Sequence, residues 1–140
     1  MASGASKPPF AFGVGPTFMT FIGNHLKMTL AHKLREQTKR LYQDVLGCQT
    51  LSSPLPDLDL FEFDDGFVLG VFYVEEKDAL TEENYAKATW LEIKSKNPEG
   101  LKKRLQEFGV REVDYPDKTR FFFQAPGGQV FRLAPLDGGL

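Results

Sequence analysis

The sequence predicts an α+β fold built from two copies of one module, each consisting of a strand, a helix and three further strands. The same order of alternating and helical hydrophobic patterns occurs twice, and each long helix is followed by a glycine, Gly47 or Gly109. Both helices also contain the letters Lys-Arg-Leu, at 39–41 and again at 103–105. Shared letters alone are weak, but together with the repeated order they indicate an internal repeat.

The length of 140 residues suits one domain and is too short for two ordinary ones. Residues 1–20 are rich in Gly, Ala, Ser and Pro and are predicted to form a flexible tail. Alternatively, the phenylalanines of this tail dock on a groove or a partner subunit. The domain is predicted at 21–140, with module one at about 21–80 and module two at about 86–136.

Module one begins with a strand at 24–31, because apolar and polar residues alternate there. One face carries Leu26, Met28 and Leu30, and the other carries His25, Lys27 and Thr29. A helix follows at 34–47, and strands follow near 49–51, at 57–63 and at 67–74. The acidic stretch 75–84 is predicted to be a solvated loop.

Module two repeats this order. A strand is predicted at 88–94, and Asn97-Pro98-Glu99 is a typical helix start with a capping side chain and proline at the first position. Leu101, Leu105 and Phe108 give the helix one apolar side. Strands follow near 110–113, at 120–125 and at 129–133, and Gly127-Gly128 form the last turn.

Composition and charge exclude several classes of function. The formal net charge of −2 argues against nucleic acid as a partner. No apolar run approaches the ~20 residues that span a bilayer, and no secretory leader is recognisable, so no membrane partner is expected. The single cysteine, Cys48, excludes an intramolecular disulfide and indicates a cytoplasmic protein. Thirteen phenylalanines suit strand faces and the walls of a cavity for organic ligands.

Three phrases in this order resemble the vicinal oxygen chelate superfamily of glyoxalases, bleomycin-resistance proteins, fosfomycin-modifying enzymes and extradiol dioxygenases. They are "LYQDVLGC", "NPEGLKKRLQEFGV" and "FFFQAPGGQVFRL", and the resemblance covers about 24–135. It implies that the two βαβββ modules pair into a curved mixed sheet that forms a ligand cup, with the helices outside. Because this fold hosts many functions, the resemblance does not name a reaction.

In metal-dependent members, the first strand of each module supplies a His and the last strand supplies a Glu. Counting back from Tyr42 without a gap places the first position at Lys27, and allowing two extra residues places it at His25. The second position falls on Ala88 or Thr89. The third position is Arg132, a cation that would repel a divalent metal. We therefore expect no metal cofactor; a divalent metal on an unusual site that uses His25 and Glu92 is the alternative.

The cup predicted from strand periodicity carries two cations, one carboxylate, one histidine and several aromatic walls. Its predicted residues are His25, Lys27, Thr29, Trp90, Glu92, Phe123 and Arg132. Because unpaired buried charge is costly, these groups need partners. Either Glu92 pairs with Arg132 or Lys27 and the cup is structural filler, or the surplus cation binds an anionic ligand whose body stacks on aromatic rings.

The sequence therefore predicts a protein that binds a small, anionic organic molecule in a metal-free cup and sequesters it, as the resemblance to resistance proteins implies. A homodimer is expected from the exposed aromatic strands, the single-domain size and the analogy with this superfamily. One alternative is a lyase, isomerase or dioxygenase-type enzyme in which His25 is the general base and Lys27 and Arg132 stabilise an oxyanion. The other is a structural or interaction module with a salt-bridged cup. Tyr73, Tyr85 and Tyr115 are further possible donors near the cup, and the sequence does not choose among them.

Overall fold

The computed structural model describes residues 18–137, which form two four-stranded mixed sheets with the same strand order. The first sheet contains β1 (His25–Ala31), β2 (Gln49–Leu51), β3 (Leu58–Glu62) and β4 (Val68–Val74) in the order β1-β4-β3-β2. The second contains β5 (Trp90–Ser95), β6 (Arg111–Glu112), β7 (Phe121–Gln124) and β8 (Val130–Pro135) in the order β5-β8-β7-β6. β1 runs parallel to β4 and β5 runs parallel to β8, and the remaining pairs are antiparallel. The predicted α+β fold of two βαβββ modules is confirmed, while most of the predicted tail 1–20 lies outside the described residues.

The helix of module one is continuous but changes its winding. A 3₁₀ turn at His32–Leu34 leads into α1 (Arg35–Lys39), which continues as a π-helix over Arg40–Val45. The Leu46 amide accordingly donates to the Leu41 carbonyl, five residues back. The predicted helix at 34–47 is thus observed, about two residues earlier than expected.

The helix of module two, α3 (Pro98–Phe108), begins and ends as the sequence predicts. The Asn97 Oδ1 atom accepts a hydrogen bond from the Gly100 amide at 3.0 Å, and Pro98 occupies the first turn. Gly109 ends the helix at φ 99°, in the left-handed region that glycine adopts without a Cβ clash.

The segment between the modules is more ordered than predicted. It contains a 3₁₀ turn at Glu76–Asp78 and a short helix, α2 (Glu82–Ala86), whose first turn is capped by Thr81. Tyr85 is buried, and its hydroxyl donates to the Thr29 carbonyl at 3.0 Å. The prediction of a solvated stretch at 75–84 agrees with its exposed side chains, but the stretch is not wholly a loop, because it contains the 3₁₀ turn and the first residues of α2.

One hydrophobic core joins the helix-facing sides of both modules. Tyr42 is fully buried, with its ring stacked on Phe61 at 5.1 Å and edge-on to Phe131 of module two at 6.3 Å. Arg35 fastens α1 to β3 through two hydrogen bonds to Asp59, at 2.7 and 3.1 Å. No helix within residues 18–137 is long and apolar enough to cross a lipid bilayer.

Candidate functional site

Each sheet has a second face, opposite its helix, and these two faces carry nearly all the predicted site residues. Along β1, alternation places His25, Lys27 and Thr29 on the face away from the core. Strand pairing adds residues of β4 and β3 in the same rows, and we call this set the module-one face: Val68, Gly70, Phe72, Leu58, Leu60 and Glu62. The module-two face consists of Trp90, Glu92, Val130, Arg132, Phe122 and Gln124.

On the module-one face, the ammonium group of Lys27 is exposed and has only weak partners. Its Nζ atom donates to the Thr29 Oγ1 atom at 3.2 Å and lies 5.9 Å from the centroid of the Phe72 ring. Among the residues that the structure describes, no carboxylate lies within ion-pair distance of Lys27. The His25 Nε2 atom lies 3.7 Å from the position that a Cβ on Gly70 would occupy. Lys27 therefore keeps a positive charge that no described acidic side chain neutralises.

On the module-two face, Arg132 is bound by two carboxylates. Its Nε and Nη2 atoms both donate to the Glu92 Oε2 atom, at 2.9 and 2.5 Å. Its Nη1 atom lies 3.9 Å from the Asp117 Oδ2 atom, and the guanidinium lies 4.5 Å above the Trp90 ring. Of the two pairings that the sequence left open, Glu92 therefore pairs with Arg132, and the charge of Arg132 is neutralised within its own module.

Three aromatic rings surround this ion pair. The Trp90 Nε1 atom donates to the Tyr115 hydroxyl oxygen at 3.1 Å. The Tyr115 ring stacks on Phe122 at 4.3 Å, and Trp90 meets both rings edge-on. Phe122 is only 2% exposed, whereas Tyr115 is 37% exposed, so Tyr115 covers Phe122 and forms part of the accessible surface.

Phe123, which the sequence analysis placed among the cup residues, points to the opposite side. It is fully buried in the core and stacks on Phe121 and Phe131. Its neighbour Phe122 pairs with Arg132 and takes the predicted place on the module-two face. The prediction is therefore wrong by one residue, which in a strand reverses the direction of the side chain.

The sequence analysis also missed Asp117 and did not choose Tyr115 among the tyrosines. Tyr73 is buried on the helix side of its sheet, next to Arg35, and Tyr85 donates to a backbone carbonyl, so neither reaches these faces. Tyr115 and Asp117 lie between β6 and β7, where no periodic pattern gives a direction. Their sequence signal is limited to the polar segment Asp114–Asp117, which contains an aromatic residue and proline.

Cys48 has no nucleophilic character in this fold. Its side chain is buried, and burial raises the pKa of the thiol to about 12, with a smaller contribution from Asp64. At neutral pH the thiol is therefore protonated and inert.

The two faces do not meet through any hydrogen bond, ion pair or ring contact among residues 18–137. The modules are joined instead by core rings, by the Tyr85 hydrogen bond and by Arg104, which donates to the Asp44 carbonyl at 2.5 Å. The structure thus brings His25, Lys27 and Thr29 together on one face and Trp90, Glu92 and Arg132 together on the other.

Comparison with known proteins gives a clear result for the fold. No protein-family model and no curated protein sequence matches the chain. Among solved structures, Leishmania major glyoxalase I matches with a TM-score of 0.63 and 17% identity, over 81% of this chain and 86% of that one. A possible glyoxalase from Bacillus cereus matches with a TM-score of 0.60 and 18% identity, over 79% and 95% of the two chains.

The chain has the glyoxalase fold. A third match is a variant of the fosfomycin resistance protein FosX from Listeria monocytogenes, in complex with Mn(II) and a dihydroxypropylphosphonic acid. It superimposes with a TM-score of 0.61 and 14% identity, over 82% of this chain and 90% of that one. These matches agree with the vicinal oxygen chelate superfamily, and at this identity they establish its fold and not an activity.

The described residues do not fit a divalent ion such as the Mn(II) bound to the FosX variant. Within the described part of the chain, no group of three or more His, Cys, Asp or Glu side chains is arranged to bind a metal. Arg132 occupies the position at which the resemblance implies a glutamate, and Glu92 already accepts two hydrogen bonds from it. A cation held at this position would oppose a divalent ion, so we derive no chemical step through a metal.

Proposed function

We propose that this protein binds a small organic anion on its module-one face without a metal ion. The observation that carries the proposal is the exposed ammonium of Lys27, which lacks a carboxylate partner among the described residues while Arg132 is neutralised. Because a charge-assisted hydrogen bond is about twice as strong as a neutral one, a carboxylate on Lys27 is the most favourable polar contact that this face offers.

Thr29 supplies a second donor beside Lys27. Its Oγ1 atom accepts the hydrogen bond from Lys27, which leaves the hydroxyl proton available for an anion. Phe72, Leu58 and Leu60 are half-buried apolar neighbours on the same face and suit the body of an organic molecule. The face therefore combines two polar donors with an apolar surface, as binding sites for small organic acids require.

We further propose that a second copy of the chain completes this site. The module-one face carries Lys27 without an ion-pair partner, and its carboxylate, Glu62, lies at the end of β3 in register with His25. The module-two face carries two carboxylates, Glu92 and Asp117, against the single guanidinium of Arg132. The region around Lys27 is thus complementary in charge to the module-two face, and each face exposes aromatic or aliphatic surface. In such a homodimer the ligand lies between the module-one face of one copy and the module-two face of the other.

The names of the structural neighbours support the class of function. They include a glyoxalase and a fosfomycin resistance protein, and the latter was observed with a small phosphonic acid. A catalytic role for His25 remains a prediction, as does contact of the ligand with Trp90 or Arg132. The buried, unpaired Cys48 supports a reducing, cytoplasmic location.

Replacement of Lys27 tests the proposal. Aromatic carboxylic acids should raise the melting temperature of the wild-type protein, and Lys27→Met should weaken their binding at least tenfold by calorimetry, because it removes a charge-assisted hydrogen bond. Lys27→Arg should retain most of the affinity. Lys103→Met, which removes an exposed lysine of α3, is the matched control and should bind as the wild type does.

Equal affinity in the wild-type and Lys27→Met proteins would contradict anion binding at this face. If no acid in a broad panel stabilises the wild-type protein, the alternative of a structural module gains support. That alternative already has one observation in its favour, since the Arg132–Glu92 pair closes part of the module-two face.

A further inference from the structure

We infer that Tyr115 is a specificity-determining residue that selects, among small organic anions, those with a second hydrogen-bond acceptor on a flat aromatic body. The inference rests on the function proposed above, including the second copy that brings Tyr115 of one chain opposite Lys27 of the other, and it adds the class of ligand. It follows from the direction of the Trp90–Tyr115 hydrogen bond, from the packing that holds the Tyr115 ring, and from the contacts that Arg132 and Trp90 already make.

The hydrogen bond between Trp90 and Tyr115 has a fixed direction. An indole nitrogen can only donate, so the Tyr115 hydroxyl oxygen accepts at 3.1 Å and does not use its own proton in this contact. No other hydrogen bond of the Tyr115 hydroxyl is found among the described residues. Its proton is therefore available to an acceptor outside the chain.

The Tyr115 ring is held in place before any ligand arrives. It stacks on Phe122, with 4.3 Å between centroids and 22° between planes, and Phe122 is itself buried. Trp90 contacts the same ring edge-on at 6.4 Å. Because the ring is fixed, a ligand that accepts from its hydroxyl loses little side-chain entropy on binding, and the bond contributes more of its energy to affinity.

Most other polar groups of the module-two face are already engaged by neighbouring residues. Arg132 directs Nε and Nη2 to Glu92 and Nη1 towards Asp117, and Trp90 uses its N–H on Tyr115. Two carboxylates near one guanidinium also make this face unfavourable for a second negative charge. The Tyr115 hydroxyl is therefore suited to a neutral acceptor, such as a ketone, ester or aromatic nitrogen, rather than to a second anion.

Matched ligand pairs test this inference. In 4-acetylbenzoate and 4-isopropenylbenzoate, and in their meta isomers, a carbonyl oxygen is exchanged for a methylene group of similar shape. The wild-type protein should bind at least one acetyl compound about threefold to tenfold more tightly than its partner, which is the range of one neutral hydrogen bond. Trp90 is the single tryptophan of the chain, so its fluorescence reports binding at this site directly.

Tyr115→Phe should remove this preference by weakening only the acetyl compounds, while the isopropenyl compounds bind within about twofold of the wild type. A merely structural role would lower the affinity for both members of a pair equally. Lys118→Met alters the same loop without removing the hydroxyl and should keep the preference.

The outcomes separate the two proposals. If none of the four acids binds to the wild-type protein, the proposed function fails, and the inference fails with it. If the acids bind but the wild-type protein shows no preference, or Tyr115→Phe retains it, the role of Tyr115 is refuted while anion binding at Lys27 stands.

Discussion

Arg132 shows how a strand accommodates a permanent charge. Its side chain is 12% exposed, and that of Glu92 is 23% exposed, so both are largely removed from water. The pair lies on adjacent parallel strands in direct register, and the guanidinium also covers the Trp90 ring. Two hydrogen bonds and a cation–π contact offset the cost of desolvation, which an isolated arginine at this position would not recover.

Replacing one member of this pair should therefore destabilise the protein more than replacing both. We expect Arg132→Met to lower the free energy of unfolding by about 2 kcal/mol, because it leaves the Glu92 carboxylate partly buried without its partner. The double variant with Glu92→Met should recover at least half of that loss. Urea titration of the wild type, both single variants and the double variant gives the coupling energy, and a value near zero would show that the two groups do not stabilise each other.

At the residue scale, the sequence predicted which strands carry polar residues better than it predicted where each aromatic ring points. Alternation along β1 correctly separated Lys27 from Met28, since one face of that strand is plainly apolar. The run Phe121–Phe123 has no such contrast, and the choice of Phe123 over Phe122 was wrong. Residues at equal distances before and after Gly127 pair across the hairpin, so Phe122 lies opposite Arg132. The position of the turn therefore predicts the direction of Phe122, which hydrophobic periodicity does not.

At the scale of elements, the β7–β8 hairpin holds the segment between the modules. Gly127 and Gly128 both have positive φ, at 91° and 113°. A Cβ on Gly128 would lie 2.7 Å from the Glu82 Cα atom and 3.0 Å from the Tyr85 Cβ atom. The turn thus needs glycine for its backbone conformation and also for the close approach of α2.

Two glycine substitutions separate the cost of the backbone conformation from the cost of the clash with α2. Gly66, in the β3–β4 turn, has φ 89°, and no atom lies within 4 Å of the position that a Cβ would occupy there, so Gly66→Ala should cost about 1 kcal/mol through backbone strain alone. Gly128→Ala should cost at least about 3 kcal/mol, because a backbone clash adds to the strain. Thermal or urea unfolding measures the difference; equal losses would mean that α2 moves freely away from the hairpin.

Elements with local signals were predictable, and those that depend on distant contacts were not. The start of α3 follows from Asn97 and Pro98, which act within one turn of the chain. The short helix α2 has five residues, too few to be stable by propensity, and it depends on burial of Tyr85 against β1. The sequence shows this segment as acidic and cannot show the surface on which its one tyrosine packs.

At the scale of the whole molecule, the two modules share a core, and no hydrogen bond, ion pair or ring contact joins their outer sheet faces among residues 18–137. Tyr42 and Phe131 join the helix-facing sides, so the opposite faces point away from the shared core. The module-one face carries half-buried Leu58, Leu60 and Phe72 around the charge of Lys27. Such a surface is costly to leave in water, which is the physical reason for a second copy in the proposed function.

The oligomeric state of the protein tests this arrangement. One chain has a mass of 15.8 kDa, and light scattering should give twice that mass at micromolar concentration. Leu58→Glu places a carboxylate on the module-one face opposite the acidic module-two face and should shift the protein to the monomer by adding charge repulsion to lost apolar contact. Leu80→Glu changes an exposed leucine outside both faces and should leave the dimer intact. If Leu58→Glu remains dimeric with an unchanged dissociation constant, the module-one face is not the interface, and Lys27 must bind its ligand within a single chain.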